Sequence, residues 1–91
     1  MARVVLPSSL TQLFPGAVRE VDVDAATVRG VIDELDIRWP GMRNRICASG
    51  PLIREHIRIF VDATQATPDT PVDPASEVVV IPALSGGSGK V

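Results

Sequence analysis

Glu77-Val78-Val79-Val80-Ile81-Pro82-Ala83-Leu84-Ser85-Gly86-Gly87 is the stretch on which the reading of this chain turns. Its opening run is β-branched and predicts a strand over 77–81, ended by Pro82, whose ring removes a ladder donor. From Ala83 to Val91 the sequence is rich in Gly and Ser, which predicts a mobile tail. A strand that leads into Gly86-Gly87 ends in backbone almost bare of side chains. Such a segment can thread a narrow channel and present a main-chain carboxyl to another protein's site. A flexible linker, or an added extension from Ser88 onward, is the competing reading of the same residues.

Upstream, His56-Ile57-Arg58-Ile59-Phe60-Val61-Asp62 alternates, with Ile57, Ile59 and Val61 on one side and His56, Arg58 and Phe60 on the other. Ala63 to Ala75 is rich in Thr, Pro and Asp and predicts a loop with room for one short edge strand. Further back, Val28, Val31, Ile32 and Leu35 fall at i, i+3, i+4 and i+7, the stripe of an amphipathic helix, and Trp39 continues it. Thr27 is the expected N-cap, with Asp24 as its rival, and Pro40-Gly41 stops the helix. Gly30 costs about 1 kcal/mol relative to Ala, so this helix depends on packing. Met42 to Cys47 predicts a short helical turn, broken by Gly50-Pro51. At the start, Arg3 to Leu6 is a β-type run stopped by Pro7. The turn Leu13-Phe14-Pro15-Gly16 and the alternation of Val18 to Val23 complete a hairpin, with Val21 and Val23 facing a core. The order is β-β-α-β-(β)-β. Its short linkers predict an α+β domain over residues 1–82, a mixed sheet of four to five strands with one main helix on one face, and a tail over 83–91.

Composition narrows the function. The 91 residues are 45 % hydrophobic and 22 % charged, with a formal charge of −2, which indicates one folded domain. Phe14, Trp39 and Phe60 are the only aromatics. Few stacking surfaces and an acidic balance argue against a nucleic-acid partner. Cys47 is the only cysteine, so neither an internal disulfide nor a cysteine-rich metal site is available. Met1 to Leu6 runs into Pro7 without the apolar core of a signal peptide, and no apolar run approaches the ~18 residues of a membrane span. A cytoplasmic protein without membrane contact is expected.

Catalytic candidates are sparse. His56 is the only histidine and reads as a surface residue. Cys47 reads as a half-buried structural thiol, since a nucleophile needs a positioned base. Asp33, Glu34 and Asp36 read as the solvated side of the helix. Arg38, Arg43 and Arg45 form a loose basic cluster, either solvated or docking an acidic partner. Gly86-Gly87-Ser88-Gly89-Lys90 is not a phosphate loop, because Leu84 stands where its first glycine belongs and Val91 where Ser or Thr belongs. No metal site and no bound cofactor are expected.

The surface says more. Pleat arithmetic places Val4 and Leu6 inward, and Val5 and Pro7 outward. It places Phe60, Val79 and Ile81 outward as well. If these strands are neighbours, the helix-free face carries an apolar patch of Val5, Phe60, Val79 and Ile81. A soluble domain seldom displays such a patch without a partner to cover it.

Several ordered stretches resemble the MoaD/ThiS family of ubiquitin-like sulfur carriers. They are Arg3 to Pro7, Thr27-Val28-Arg29, Trp39-Pro40-Gly41, Ile57 to Asp62, Thr70-Pro71-Val72, and Glu77 to Pro82 followed by Gly86-Gly87. Length and the opening strand-Pro pattern are closer to the molybdopterin-synthase small subunit and cysteine-synthase-associated carriers than to the thiamine carriers. The resemblance implies a ubiquitin-like β-grasp fold and a carrier with no catalytic site of its own. By position, Gly87 would be adenylated, with ATP consumed by a ubiquitin-activating-type adenylyltransferase. A sulfur donor would then make the thiocarboxylate, and an acceptor synthase would take the sulfur. Gly86 would be the slim approach, and Ile81 the apolar contact ahead of the tail. Family carriers usually end at Gly-Gly, whereas Ser88-Gly89-Lys90-Val91 follows here, as extensions do in some relatives. A processing junction between Gly87 and Ser88, cut by a JAMM-type metalloprotease, would expose the glycine. A protein modifier joined through Gly87, or a non-reactive β-grasp interaction domain, is the alternative.

Overall fold

The computed structural model describes residues 1–50 and 52–82. The opening hairpin forms from β1 (Ala2–Val5) and β2 (Glu20–Val23), paired antiparallel with Val4 opposite Val21. Alternation governs it: Ala2 and Val4 are buried, Arg3 is exposed, and Val23 meets the core from β2. The connection is not plain loop. Pro7 precedes a single helical turn, α1 (Ser8–Thr11), whose Leu10 is buried. Proline's fixed φ suits a helix start, where its missing N–H is no loss.

Helix α2 (Val28–Arg38) buries Val28, Val31, Ile32 and Leu35 against the sheet. Thr27, not Asp24, caps it: Gly30 N–H donates to Thr27 Oγ1 at 3.1 Å. Two further N–H groups of its first turn find carbonyls in the distant loop, Val28 N on Thr70 O and Arg29 N on Pro68 O. Gly30 is explained by space, since a Cβ there would stand 3.2 Å from Ala25 Cβ. The expected turn after Gly41 is α3 (Met42–Ile46), which buries Met42 and Ile46.

Beyond α3 the chain departs from the element order expected of it. Cys47–Ser49 (β3) and Leu52–Ile53 (β4) form a small antiparallel ribbon, so Gly50, at φ +56°, opens a hairpin rather than ending an element. Strand β5 (Ile57–Val61) starts after His56, which is exposed in the turn before it. Its return, β6 (Thr64–Gln65), is the short edge strand. The linking residues Asp62 and Ala63 both have positive φ, 49° and 70°, as a two-residue type I′ turn demands. Strand β7 (Glu77–Pro82) extends one residue past the expected end, because Pro82 still lies opposite Ile57.

The sheet order is β2-β1-β7-β5-β6. Strands β1 and β7 are parallel and the other pairs antiparallel, giving the mixed five-stranded sheet with α2 across one face. Val4, Leu6, Val23, Ile59, Val78 and Val80 meet the helix side chains in one core cluster. This is the ubiquitin-like β-grasp architecture. The tail expected over 83–91 lies outside the described residues.

Candidate functional site

Strand pairing builds one row of side chains across the face opposite α2. Val5 lies beside Val79 in the parallel β1–β7 register, and Phe60 lies opposite Val79 in the antiparallel β5–β7 register. All three are half-buried. One step toward the end of β7, Ile81 lies opposite Arg58 and is 40 % exposed. The pleat that directs Val78 and Val80 into the core directs Val79 and Ile81 out of it.

Val5, Pro7, Arg19, Val79, Ile81 and Pro82 line an open, mostly apolar groove of about 470 Å³. Phe60 stands outside the groove, on the other flank of Val79. Arg19 was not expected there, because its parity is that of the inward Val21 and Val23; it precedes β2 (Glu20–Val23), whose pleat therefore does not direct it. It is fixed by the backbone: Leu6 N donates to Arg19 O at 2.7 Å, and Arg19 Nε donates to Leu6 O at 3.3 Å. The face is thus electrically graded. Arg19 and Arg58 flank the end from which the chain leaves toward residue 83. At the opposite end, Arg3 pairs with Glu20 at 2.9 Å, near Asp22, Glu77 and Asp62. Gly86, Gly87 and Ser88, the residues expected to carry the chemistry, lie outside the described residues.

The remaining candidates fall into structural roles. Asp33 and Asp36 remain partly exposed, as a polar helix face would, but they also hold the next element. Asp33 Oδ1 accepts from Arg43 Nε and Nη2 at 3.1 and 2.8 Å. Asp36 Oδ1 accepts from the backbone of Gly41 and Arg43 at 3.1 and 3.0 Å. Together they clasp α3 onto α2. The hydrogen bonds that Arg43 donates to Asp33, helped by the charge of Asp36, raise the Arg43 guanidinium above its ordinary pKa. Cys47 is buried at the end of α3, more deeply than the half-buried thiol expected, and burial pushes its thiol up. It borders a small cavity of about 200 Å³ with Arg29, Ile32, Asp33 and Arg43. Among the described residues no group of three or more His, Cys, Asp or Glu side chains is placed to hold a metal ion. No helix among them is long and apolar enough to cross a membrane.

Comparison with known proteins meets this geometry. The fold is similar to that of CysO in the Amycolatopsis orientalis BexX/CysO complex, with TM-score 0.84, 22 % identity, and 96 % of this chain and 100 % of that chain covered. It is similar to Mycobacterium tuberculosis CysO, with TM-score 0.81, 21 % identity and coverage of 91 % and 99 %. It is also similar to SAMP1 from Haloferax volcanii, with TM-score 0.78, 24 % identity and coverage of 94 % and 98 %. No curated protein sequence matches the chain. The sequence pattern of the ThiS family matches residues 11–87, from α1 through the Gly-Gly pair. The chain therefore belongs to the ThiS family of ubiquitin-like sulfur carriers.

Proposed function

We propose that this protein carries sulfur on Gly87 and is a co-substrate rather than a catalyst. The observation that supports this is the juxtaposition of a mostly apolar groove with the exit of β7, five residues ahead of Gly87 in the sequence. A partner seated on Val5, Val79, Ile81 and the neighbouring Phe60 would have the following segment delivered to its own active site. The glycines would enter a channel that any Cβ would block.

The chemistry needs a free Gly87 carboxylate. While Gly87 is joined to Ser88 its carbonyl is an amide, a poor nucleophile toward phosphorus. Hydrolysis of that bond, the task of a metalloprotease of JAMM type, frees the carboxylate. In the adenylyltransferase its oxygen attacks the α-phosphorus of ATP and pyrophosphate leaves. Hydrosulfide then adds to the acyl-adenylate carbonyl, AMP leaves, and the thiocarboxylate remains for an acceptor synthase. The BexX/CysO complex is a precedent for a carrier of this fold held by a partner. A modifier joined through Gly87 to lysines is a second reading, favoured by the likeness to a protein named small archaeal modifier protein 1.

Mass spectrometry of the protein from native cells tests both. Chains ending at Gly87 with one sulfur in place of oxygen support the carrier. Lysine conjugates through Gly87 support the modifier. In vitro, a chain ending at Gly87 should release pyrophosphate with ATP and its activating enzyme. The chain extended through Val91 should do so only after cleavage between Gly87 and Ser88, and Gly87→Val in the cut form should restore the block.

A further inference from the structure

Residues 37–54 hold Arg38, Arg43, Arg45 and Arg54 and no Asp or Glu, within a chain of formal charge −2. The fold sorts these cations. Arg43 is matched by Asp33 and Asp36. Arg54 is positioned without being neutralised: its Nε and Nη2 donate to Asn44 O at 2.9 and 2.7 Å. That carbonyl uses two of its five N–H donors and leaves the charge intact. Among the described residues, Arg38, Arg45 and Arg54 have no carboxylate within ion-pair distance.

Arg45 and Arg54 line a second open groove, of about 400 Å³, with Leu13, Phe14, Gly41 and Asn44. Leu13 is 50 % exposed, whereas Phe14 packs against the core and gives the groove a fixed apolar floor. Gly41, at φ +101°, lets the chain turn under that ring; a Cβ there would lie 3.4 Å from Phe14 Cε1. The groove shares no lining residue with the one on the sheet face.

We propose that this groove is a second docking site, for an acidic peptide segment of a protein partner. Its carboxylates would bind Arg45 and Arg54, and an apolar side chain would rest on Leu13. Charge complementarity selects that occupant. Guanidinium groups match carboxylates in a planar, two-pronged geometry, and Arg54 is already oriented, so less side-chain freedom is lost on binding. A nucleic acid is disfavoured by the acidic balance of the whole chain and because Phe14, half-buried, is the one aromatic ring lining the groove, too few for successive bases to stack on. Because the two grooves are separate, an acidic segment held here leaves the sheet face open to a second partner. The inference does not depend on the chemistry at Gly87.

The test is an NMR titration of the isotope-labelled full chain at low salt with three probes. These are a short peptide alternating aspartate and leucine, the same peptide with asparagine, and a short oligothymidylate. The acidic peptide should shift the amides of Leu13, Phe14, Gly41, Asn44 and Arg45, leave Val5 and Val79 unmoved, and bind more weakly as salt is raised. Arg45→Glu should weaken it by roughly tenfold with an unchanged circular dichroism spectrum. Arg45→Gln, a milder change at an exposed site, should weaken it less. Equal binding of the asparagine peptide, tighter binding of the oligothymidylate, shifts centred on the sheet face, or no shifts at all would overturn the proposal.

Discussion

Asp36 shows what a single side chain does here and why its role is hard to read in one dimension. On α2 it sits among Asp33 and Glu34 on what sequence periodicity calls the polar face. Its partners come from the next element: the backbone of Gly41 and Arg43, and the Arg43 guanidinium at 3.4 Å. Helical periodicity gives a residue's face but not what packs there, so three acids within four residues looked solvated. Asp36→Ala leaves two N–H groups without their acceptor and should cost about 1–2 kcal/mol in urea unfolding, whereas Asp36→Asn, which keeps an acceptor, should cost less. Ala63 is a residue against its own preference. It holds φ 70° in the β5–β6 turn, where glycine is at ease, while Asp62 beside it is occupied, accepting from Glu77 N at 2.9 Å. Ala63→Gly should therefore raise stability by up to ~1 kcal/mol, strain relief outweighing added chain entropy, and calorimetry can read it as a higher Tm. Cys47 gives a pH dependence of definite sign. Burial raises its folded-state pKa above the unfolded value, so the folded chain keeps the proton longer. Its contribution is whole below the unfolded thiol pKa and is lost as pH rises through the folded one. Stability measured into the alkaline range should fall in this window and fall less in Cys47→Ala; an equal decline in both would exclude the thiol as the cause.

Elements whose side chains keep a clean period could be read in advance, and those held by remote backbone could not. The stripe of α2 and the alternation of β5 each name their buried residues directly, and the structure buries them. The β3–β4 ribbon gave no such signal: Cys47-Ala48-Ser49 carries no alternation, and Gly50-Pro51 looks like an interruption as much as a hairpin. The start of α2 mixes the two cases. Thr27 was legible as a cap, but the acceptors for Val28 N and Arg29 N lie some forty residues away in Thr70 and Pro68. Two of the short stretches that resemble the family, Thr27-Val28-Arg29 and Thr70-Pro71-Val72, thus turn out to be one contact, closed by a bridge between Thr27 and Pro71. Thr27→Ala should cost about 1 kcal/mol, with Thr27→Ser retaining most of the cap. Gly30→Ala should recover less than the usual helix gain, because its methyl presses on Ala25. Hydrogen exchange at Val28, Arg29 and Gly30 would separate the two effects, since loss of the cap speeds exchange at Gly30 and leaves Val28 protected by Thr70.

At the scale of the molecule, the parallel pairing of β1 with β7 turns local alternation into a surface. It sets Val5 beside Val79, and the antiparallel partner β5 adds Phe60 to the same row. The pleat gave the facing of each residue, but only the strand order makes them neighbours, and no periodicity within one strand carries that order. The placement of Val5, Val79 and Ile81 in a groove and of Phe60 beside it makes a phase test possible with adjacent residues of one strand. Val80 is 2 % exposed in the core, whereas Ile81 is 40 % exposed on the opposite face. Val80→Asp places an unpaired charge among Val4, Ile59 and the α2 stripe and should abolish the cooperative unfolding transition. Ile81→Asp and Phe60→Asp should leave that transition nearly unchanged, because their carboxylates reach water. In the docked state those carboxylates would be desolvated, which typically costs a few kcal/mol, or about a hundredfold in Kd. Calorimetry against the proposed activating enzyme, paired with circular dichroism of each variant, reads both quantities. Full affinity in folded Ile81→Asp and Phe60→Asp would remove this face from the docking surface and leave the second groove, with Arg45 and Arg54, as the place to look for the partner.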